Sequence, residues 1–253
     1  MFLKHPYPGA RRYCFGFRGE SLKRLQLIHY NCLNLNDMND VNRKWIDFEP
    51  DIIPEQYEGR ALEAQRSREF LDADAAKMAY LRARQRLLDV NRWARHIEGI
   101  TATFQLTDQD GGLMEGMAQK GQMIRIDIPG PGTSAGDGYD WAVIEDMEEG
   151  STEKLDFLAF RVRPAENPSA GNPSGKEGKI AHFFSSGSSG TFVLYREKNQ
   201  VTCTVYDRNL KPNTEIKGNL TDRVRNSFVG TTAAMGMSGI QWQKLADSVL
   251  EVV

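Results

Sequence analysis

Alternation of apolar and polar residues decides the fold at one stretch of the sequence, Ile100-Thr-Ala-Thr-Phe-Gln-Leu-Thr107. Its apolar side chains stand at every second position, and threonine or glutamine separates them. A period of two is typical of a β-strand with one buried face and one solvated face. The sequence therefore predicts that the chain changes from helix to sheet at this point.

The segment before this stretch has helical periodicity instead. Apolar residues recur there at steps of four and three along one stripe: Ala76, Tyr80, Ala83, Leu87, Val90, Ala94 and Ile97. The pattern predicts a long amphipathic helix over residues 60–97, which Gly99 ends. The same steps form a heptad, so two alternatives stay open. The stripe packs on the protein's own sheet, or it forms an interface with a protein partner or a second copy of the chain.

Further strands follow the first along the chain. Alternation or short apolar runs predict them at residues 124–128, 139–147, 155–162, 180–184, 191–196 and 200–206. The last two flank Glu197-Lys198-Asn199, which predicts a hairpin turn. No helical pattern separates successive strands, and parallel pairing requires such crossovers. We therefore expect antiparallel pairing throughout.

The chain returns to helix near its C-terminus. One short helix is predicted over residues 220–229, and a second begins at Ser238, where Gln241 has the spacing of a capping box. The predicted fold class is α+β. An antiparallel sheet of about six to seven strands packs against the long preceding helix and a C-terminal helix pair.

Composition limits the function classes. The chain has 253 residues, of which 40% are hydrophobic and 26% charged, and a formal net charge of −2. This near-neutral balance gives no reason to expect nucleic acid or an anionic membrane as a partner. Cys14, Cys32 and Cys203 form neither a disulfide framework nor a metal-binding CxxC pair. With no secretory signal pattern at Met1 and no membrane-spanning apolar run, the cytoplasm is the expected compartment.

The first part of the chain differs from the rest. Residues 1–37 hold six basic side chains, and their only acidic ones are Glu20 and Asp37. Met38, which follows them, offers a second start codon position. Either Met38 is the true start, or residues 1–37 are a basic arm that binds something acidic. For the domains we predict an irregular N-terminal extension over residues 1–59 and a single α+β domain over residues 60–253.

The histidines His5, His29, His96 and His182 share no ligand spacing with one another or with the cysteines, so neither a metal nor another cofactor is expected. An enzyme would need an acid and a base that converge in one pocket. His182, Asp127 and Asp140 are the candidates for these roles. Catalysis is therefore the third hypothesis.

The segment Arg86-Leu-Leu-Asp-Val-Asn-Arg-Trp93 resembles the early D-V-x-x-W segment of helix-grip proteins of the START and polyketide-cyclase type. The layout of residues 75–253 is similar to theirs, and the resemblance implies a helix gripped by a curved antiparallel sheet. The first strand of that fold has no obvious counterpart here unless residues 44–49 supply it. Residues 121–141 and 208–214 also resemble an uncharacterised bacterial family of unknown function.

The first function hypothesis is a non-catalytic module that holds a small apolar ligand between sheet and helix. The residues predicted to line its pocket are Tyr139, Trp141, Phe160, His182, Phe184, Tyr206 and Trp242. The alternative is a protein-interaction module that acts through the long helix or through the loops at residues 130–138 and 164–178. Exposure or burial of the helical stripe distinguishes the two hypotheses.

Overall fold

The computed structural model describes residues 50–96, 102–128, 133–170, 178–214 and 232–251. Within them the strands form one seven-stranded antiparallel sheet with the order β1-β7-β6-β5-β4-β3-β2. The strands are β1 (Arg60–Glu69), β2 (Thr103–Thr107), β3 (Met123–Asp127), β4 (Asp140–Ser151), β5 (Leu155–Pro164), β6 (Ser189–Glu197) and β7 (Gln200–Leu210). The helices are α1 (Ala73–Leu88), the short α2 (Trp93–His96) and α3 (Thr232–Val249).

The long helix predicted over residues 60–97 is wrong at its N-terminal end. Residues Arg60–Glu69 form β1, an edge strand that pairs with β7 in the register Ala64↔Val205. Helix α1 begins only after Asp72, whose carboxylate caps it by accepting a hydrogen bond from the Ala75 N–H at 2.8 Å. The apolar stripe itself starts at Ala76, so no stripe residue supported a helix before α1. Strand β1 is therefore the strand that precedes the helix. Residues 44–49, which the sequence analysis named as a possible source of this strand, lie outside the described residues.

The stripe packs against the protein's own sheet. Ala76, Tyr80, Ala83 and Leu87 are all buried in the main hydrophobic core. Small alanine side chains on a helix allow its backbone to approach a sheet closely. Val90 is also buried, in a 3₁₀ turn that follows α1, and Ile97 lies outside the described residues.

The predicted strand at residues 180–184 is also wrong. This segment forms only single bridges, between Ile180 and Glu166 and between Phe184 and Pro212. Its backbone crosses the ends of two strands, because the Trp141 N–H donates to the Ala181 carbonyl at 2.7 Å and the Ala181 N–H donates to the Ala165 carbonyl at 2.9 Å. Ala181 and Phe184 are buried without a strand ladder, and Ile180 and Phe183 are half-buried.

Helix α3 runs through Ser238 without a break, so the helix start predicted at this serine is wrong. Glycine inside a helix costs about 1 kcal/mol relative to alanine, and Gly236 and Gly239 both lie in α3. Burial of Leu245 and Val249 in the main core stabilises α3 in spite of these glycines. The other predicted member of the helix pair, over residues 220–229, lies outside the described residues.

The two faces of the sheet carry separate apolar cores. The inner face lies under α1 and α3 and includes Leu158, Phe160 and Leu194. The outer face carries a smaller cluster, with Val193 and Tyr195 on β6. Alternate residues of a strand point to opposite faces, which explains why the central strands are apolar at nearly every position. No helix in the described part of the chain is long and apolar enough to cross a membrane.

Candidate functional site

A group of aromatic rings occupies the inner face between the sheet and α3. This aromatic cluster consists of Trp93, Phe104, Phe160, Phe192 and Trp242. Its members come from α2, three different strands and α3, so the cluster joins elements that are distant in the sequence. All the rings except that of Trp242 are buried.

The base of the cluster is formed by a cross-strand pair. Phe160 on β5 and Phe192 on β6 stand directly opposite each other, and their ring centroids are 4.9 Å apart at an interplanar angle of 16°. Trp93 lies over Phe192 at 5.1 Å, and its indole N–H donates to the Leu87 carbonyl at 3.1 Å. This hydrogen bond satisfies the polar edge of a ring that is otherwise packed among apolar atoms.

Trp242 forms the rim of the cluster. Its ring is half-buried and meets Phe192 edge to face, with centroids 5.3 Å apart and an angle of 89°. It also lies 6.4 Å from both Trp93 and Phe104. One edge of this rim residue therefore faces the buried rings while part of its surface stays accessible to solvent.

A buried carboxylate stands beside this rim. The indole Nε1–H of Trp242 donates to Oδ2 of Asp207 at 2.9 Å. Asp207 is only 4% exposed, and it follows Val201, Cys203 and Val205 on the inner face of β7 at every second position. The carboxylate is thus placed at the polar end of an otherwise apolar row.

Gly190 makes room for this carboxylate. It pairs with Asp207 across β6 and β7, and a Cβ atom built on it would stand 3.2 Å from Asp207 Oδ1 and 3.4 Å from Val162 Cγ2. Any larger residue would press on the carboxylate, because ordinary van der Waals contacts begin at longer distances. A side chain at position 190 would therefore crowd Asp207 and Val162.

The predicted pocket residues fall into separate places. Phe160 and Trp242 share the aromatic cluster. Tyr139 and Trp141 instead pack in a small cluster with Met123. Tyr206 lies on the outer face, because its neighbours Val205 and Asp207 occupy the inner one.

His182 and Phe184 belong to the loop that crosses the strand ends. His182 stacks on Phe183 with ring centroids 4.6 Å apart, and its Nδ1 accepts a hydrogen bond from the Phe184 N–H at 2.9 Å. Asn213 donates to the carbonyl of His182 at 3.0 Å. Through these contacts His182 helps to fix the conformation of the loop.

The three residues predicted as catalytic candidates lie at the end of β3 (Asp127), at the start of β4 (Asp140) and in the loop that crosses the strand ends (His182). Asp127 is exposed at the end of β3. Asp140 is fully buried, and its Oδ2 accepts a hydrogen bond from the Phe183 N–H at 3.3 Å. Because Nδ1 of His182 is engaged with backbone, that nitrogen is not placed to abstract a proton. Within residues 50–96, 102–128, 133–170, 178–214 and 232–251, no group of three His, Cys, Asp or Glu side chains could hold a metal ion.

A second buried charge lies at the opposite end of β6. Asp156 accepts hydrogen bonds from Arg196 Nε and Ser151 Oγ, each at 2.5 Å, and it also contacts the Lys77 ammonium group. Burial alone would raise the pKa of Asp156, but the hydrogen bonds from Lys77, Ser151 and Arg196 outweigh it and hold the pKa below its ordinary value. This network ties α1 to β5 and β6.

Comparison with known proteins identifies no family. No family model and no curated protein matches the chain. Among solved structures, a hypothetical protein, jhp0584 from Helicobacter pylori, is similar at 12% identity and a TM-score of 0.44, over 83% of this chain and 97% of that one. Truncated norcoclaurine synthase from Thalictrum flavum follows at 10% identity and a TM-score of 0.31, over 78% of this chain and 96% of that one.

A third solved structure, Ara h 8.0201, is similar at 11% identity and a TM-score of 0.28, over 76% of this chain and 99% of that one. Similarities at this level assign neither a family nor an activity to the chain. The function must therefore be argued from the site itself.

The sequence analysis missed several members of this site, namely Trp93, Phe104, Phe192 and Asp207. For Asp207 a signal was present, because the alternation of Val201, Cys203 and Val205 reaches it at the next step of two. Strand parity also places Phe192 on the same face as Leu194. Nothing local in the sequence indicates that Trp93 and Trp242 meet.

Proposed function

We propose that this protein binds a small, mainly apolar ligand between the inner face of the sheet and α3, at the aromatic cluster beside Trp242. The observation that carries this proposal is Trp242 itself, a half-buried ring on three buried aromatic residues, with its N–H bonded to a buried carboxylate. Ligand sites are typically apolar and aromatic, with a few polar groups that fix the orientation of the ligand.

Burial of the helical stripe supports the same proposal. Ala76, Tyr80, Ala83 and Leu87 are engaged with the sheet and do not present a heptad surface to a partner. The apolar stripe of α1 is therefore already used inside the domain. On the inner face, the half-buried rim at Trp242 is available for recognition.

Titration with Nile red, a neutral dye that fluoresces in apolar surroundings, tests the proposal on the full chain. We expect saturable binding that falls at least tenfold in Trp242→Ala and in Phe192→Leu. Trp141→Phe is the matched control, because Trp141 is buried in a separate cluster. Non-saturable binding, or equal affinity in Trp242→Ala and Trp141→Phe, would overturn the proposal.

Native mass spectrometry of the purified chain gives an independent test. A co-purified small molecule that is lost in Trp242→Ala would support the proposal and identify the ligand. A small molecule retained in Trp242→Ala at the wild-type amount would place its site elsewhere and contradict the proposal.

A second candidate function is association with another copy of the chain through the solvent side of α1. Leu71 is 94% exposed just before the helix, and Met78 and Leu81 are 53% and 42% exposed on it. Exposed apolar residues grouped on one surface often mark an interface. Light scattering of the wild type and of Met78→Lys tests this candidate, since a dimer that dissociates in the variant would support it and a monomeric wild type would exclude it.

A further inference from the structure

The solvent side of α1 carries a second regular stripe, on the side of the helix away from the sheet. Its positions follow one another mainly at steps of three and four, and all of its members are exposed. This exposed stripe consists of Leu71, Asp74, Met78, Leu81, Arg82 and Gln85. A helix on the surface of one domain needs a single apolar side. Packing inside the domain therefore does not explain Met78 and Leu81.

Leu71 extends the exposed stripe beyond the N-terminus of the helix. It directly precedes Asp72, the residue that caps α1. An apolar residue in this place often packs on the first turn of its own helix. Leu71 does not, because it is 94% exposed. Its side chain is therefore free to contact another molecule.

Two opposite charges flank Met78 on the exposed stripe at equal separations. Asp74 precedes Met78 by four residues, and Arg82 follows it by four. They lie about 12 Å apart along the helix axis, which is too far for them to pair with each other. In the part of the chain that the structure describes, neither side chain has an ion-pair partner. The arrangement of charge is therefore self-complementary about Met78.

Antiparallel pairing with a second copy of the chain matches these charges. A two-fold axis at Met78 places Asp74 of one copy beside Arg82 of the other, and it repeats this pair on the far side of the axis. Opposite charges in such positions set the orientation of paired helices. Parallel pairing would instead place like charges next to each other.

The same orientation brings apolar residues at the two ends of α1 together. Leu113 and Met117 are 64% and 42% exposed on a loop at the C-terminal end of the helix. This loop is joined to the helix because the Ala118 N–H donates to the Leu88 carbonyl at 2.8 Å. Antiparallel pairing brings the loop of one copy to the end of the other helix that carries Leu71.

We propose that the protein forms a two-fold symmetric dimer in which the exposed stripes of two α1 helices pack antiparallel, with Asp74 of each copy paired to Arg82 of the other. This inference rests on the second candidate function, and it gives that association an orientation and a register. One helix pair with a neighbouring loop is a small contact, so we expect weak association, in the micromolar range.

Charge reversal tests the register on the full chain. Sedimentation velocity over about 1–200 μM measures the dimer dissociation constant, since small interfaces bind weakly. We expect Asp74→Arg and Arg82→Asp each to weaken dimerisation at least about tenfold, because like charges then meet twice across the axis. The double variant with both changes should return to within about threefold of the wild type, because its opposite charges meet again.

A mixture of the two single variants gives a second test. The exposed stripe of Asp74→Arg carries two positive charges and that of Arg82→Asp carries two negative ones, so the mixture should form a heterodimer although each variant alone does not dimerise. Arg95→Asp is the matched control, because it reverses an exposed arginine of α2 outside the stripe and should leave dimerisation unchanged.

Circular dichroism of every variant checks that α1 is folded. This check is needed because Asp74 lies in the first turn of α1, where a negative charge also stabilises the helix. Rescue in the double variant excludes this local effect as the cause, since the charge in the first turn stays reversed there.

The outcomes separate the inference from the candidate function on which it rests. A wild type that stays monomeric over the whole concentration series overturns both. A dimer that dissociates in Met78→Lys but persists in the two single charge reversals overturns the inference and leaves self-association through α1 standing. A double variant that is folded but monomeric also overturns the pairing of Asp74 with Arg82.

Discussion

Arg196 Nε lies 2.5 Å from Oδ2 of Asp156, and the two side chains are 4% and 1% exposed. The residues are direct cross-strand partners on β5 and β6. Arg196 also donates to the Lys198 carbonyl at 2.9 Å and to the Glu153 carbonyl at 3.3 Å. Breaking a buried ion pair by removing one partner leaves an uncompensated charge, which makes this pair a sensitive point in the fold.

Asp156→Asn is expected to destabilise the protein by about 3–5 kcal/mol, because Arg196 would be left buried without its anionic partner. Urea unfolding followed by circular dichroism measures the change. Glu149→Gln is the control, since Glu149 pairs with Arg84 but its side chain is 56% exposed. It should cost at most about 1 kcal/mol. A loss in Asp156→Asn as small as that of the control would contradict the prediction.

The same carboxylate predicts how stability depends on pH. Because hydrogen bonds outweigh burial and lower the pKa of Asp156 in the folded protein, its stabilisation is complete above the ordinary aspartate pKa of about 4 and is lost as the pH falls through the lower, folded value. Urea midpoints measured between pH 7 and pH 2 should therefore decline below about pH 4. The decline should be shallower in Asp156→Asn, and an equal slope in both proteins would refute the assignment.

The parts of the fold that sequence analysis predicts are those with strong local patterns. The β6–β7 hairpin is confirmed with a turn at Lys198, where the backbone φ is 54°. Strand β1 was not predicted, because its composition is charged and helix-compatible, and pairing with β7 along its length decides its structure. Local propensity carries no information about such a distant partner.

The sequence likewise predicts only part of the candidate site. Phe160 and Trp242 were predicted to share a pocket, and the structure brings them together with Trp93. Tyr206 was assigned to this pocket although strand parity puts it on the face opposite to Asp207. The period of two along β7 places Tyr206 on the outer face and Asp207 on the inner one. The contact between Trp242 and Asp207 depends on how α3 lies on the sheet, which no local pattern specifies.

Cys203 is expected to resist thiol reagents in the folded state. Burial raises the pKa of its thiol to about 12, so on the order of 10⁻⁴ of it is thiolate at pH 8. The test uses a variant with Cys14→Ser and Cys32→Ser, in which Cys203 is the one remaining cysteine. Labelling of this variant with Ellman's reagent should proceed only as fast as the protein unfolds. Urea supplies the positive control, since it should expose the thiol completely. Labelling without urea at the rate seen in urea would contradict the buried position of Cys203 on β7.

Gly59 is expected to be intolerant of substitution. Its φ is +63°, and a Cβ atom built on it would stand 2.4 Å from the Leu210 carbonyl oxygen at the end of β7. Gly116 is the matched control, since its φ is +106° but a Cβ atom there meets nothing within 4 Å.

Backbone strain alone costs about 1–3 kcal/mol in Gly116→Ala, because its φ lies in a sparsely populated region for any residue but glycine. In Gly59→Ala the clash with backbone adds to the strain, so we expect the larger loss of unfolding free energy, by at least about 1 kcal/mol. Urea unfolding of both variants measures the difference. Equal losses would mean that the chain before β1 can move away from Leu210 without cost.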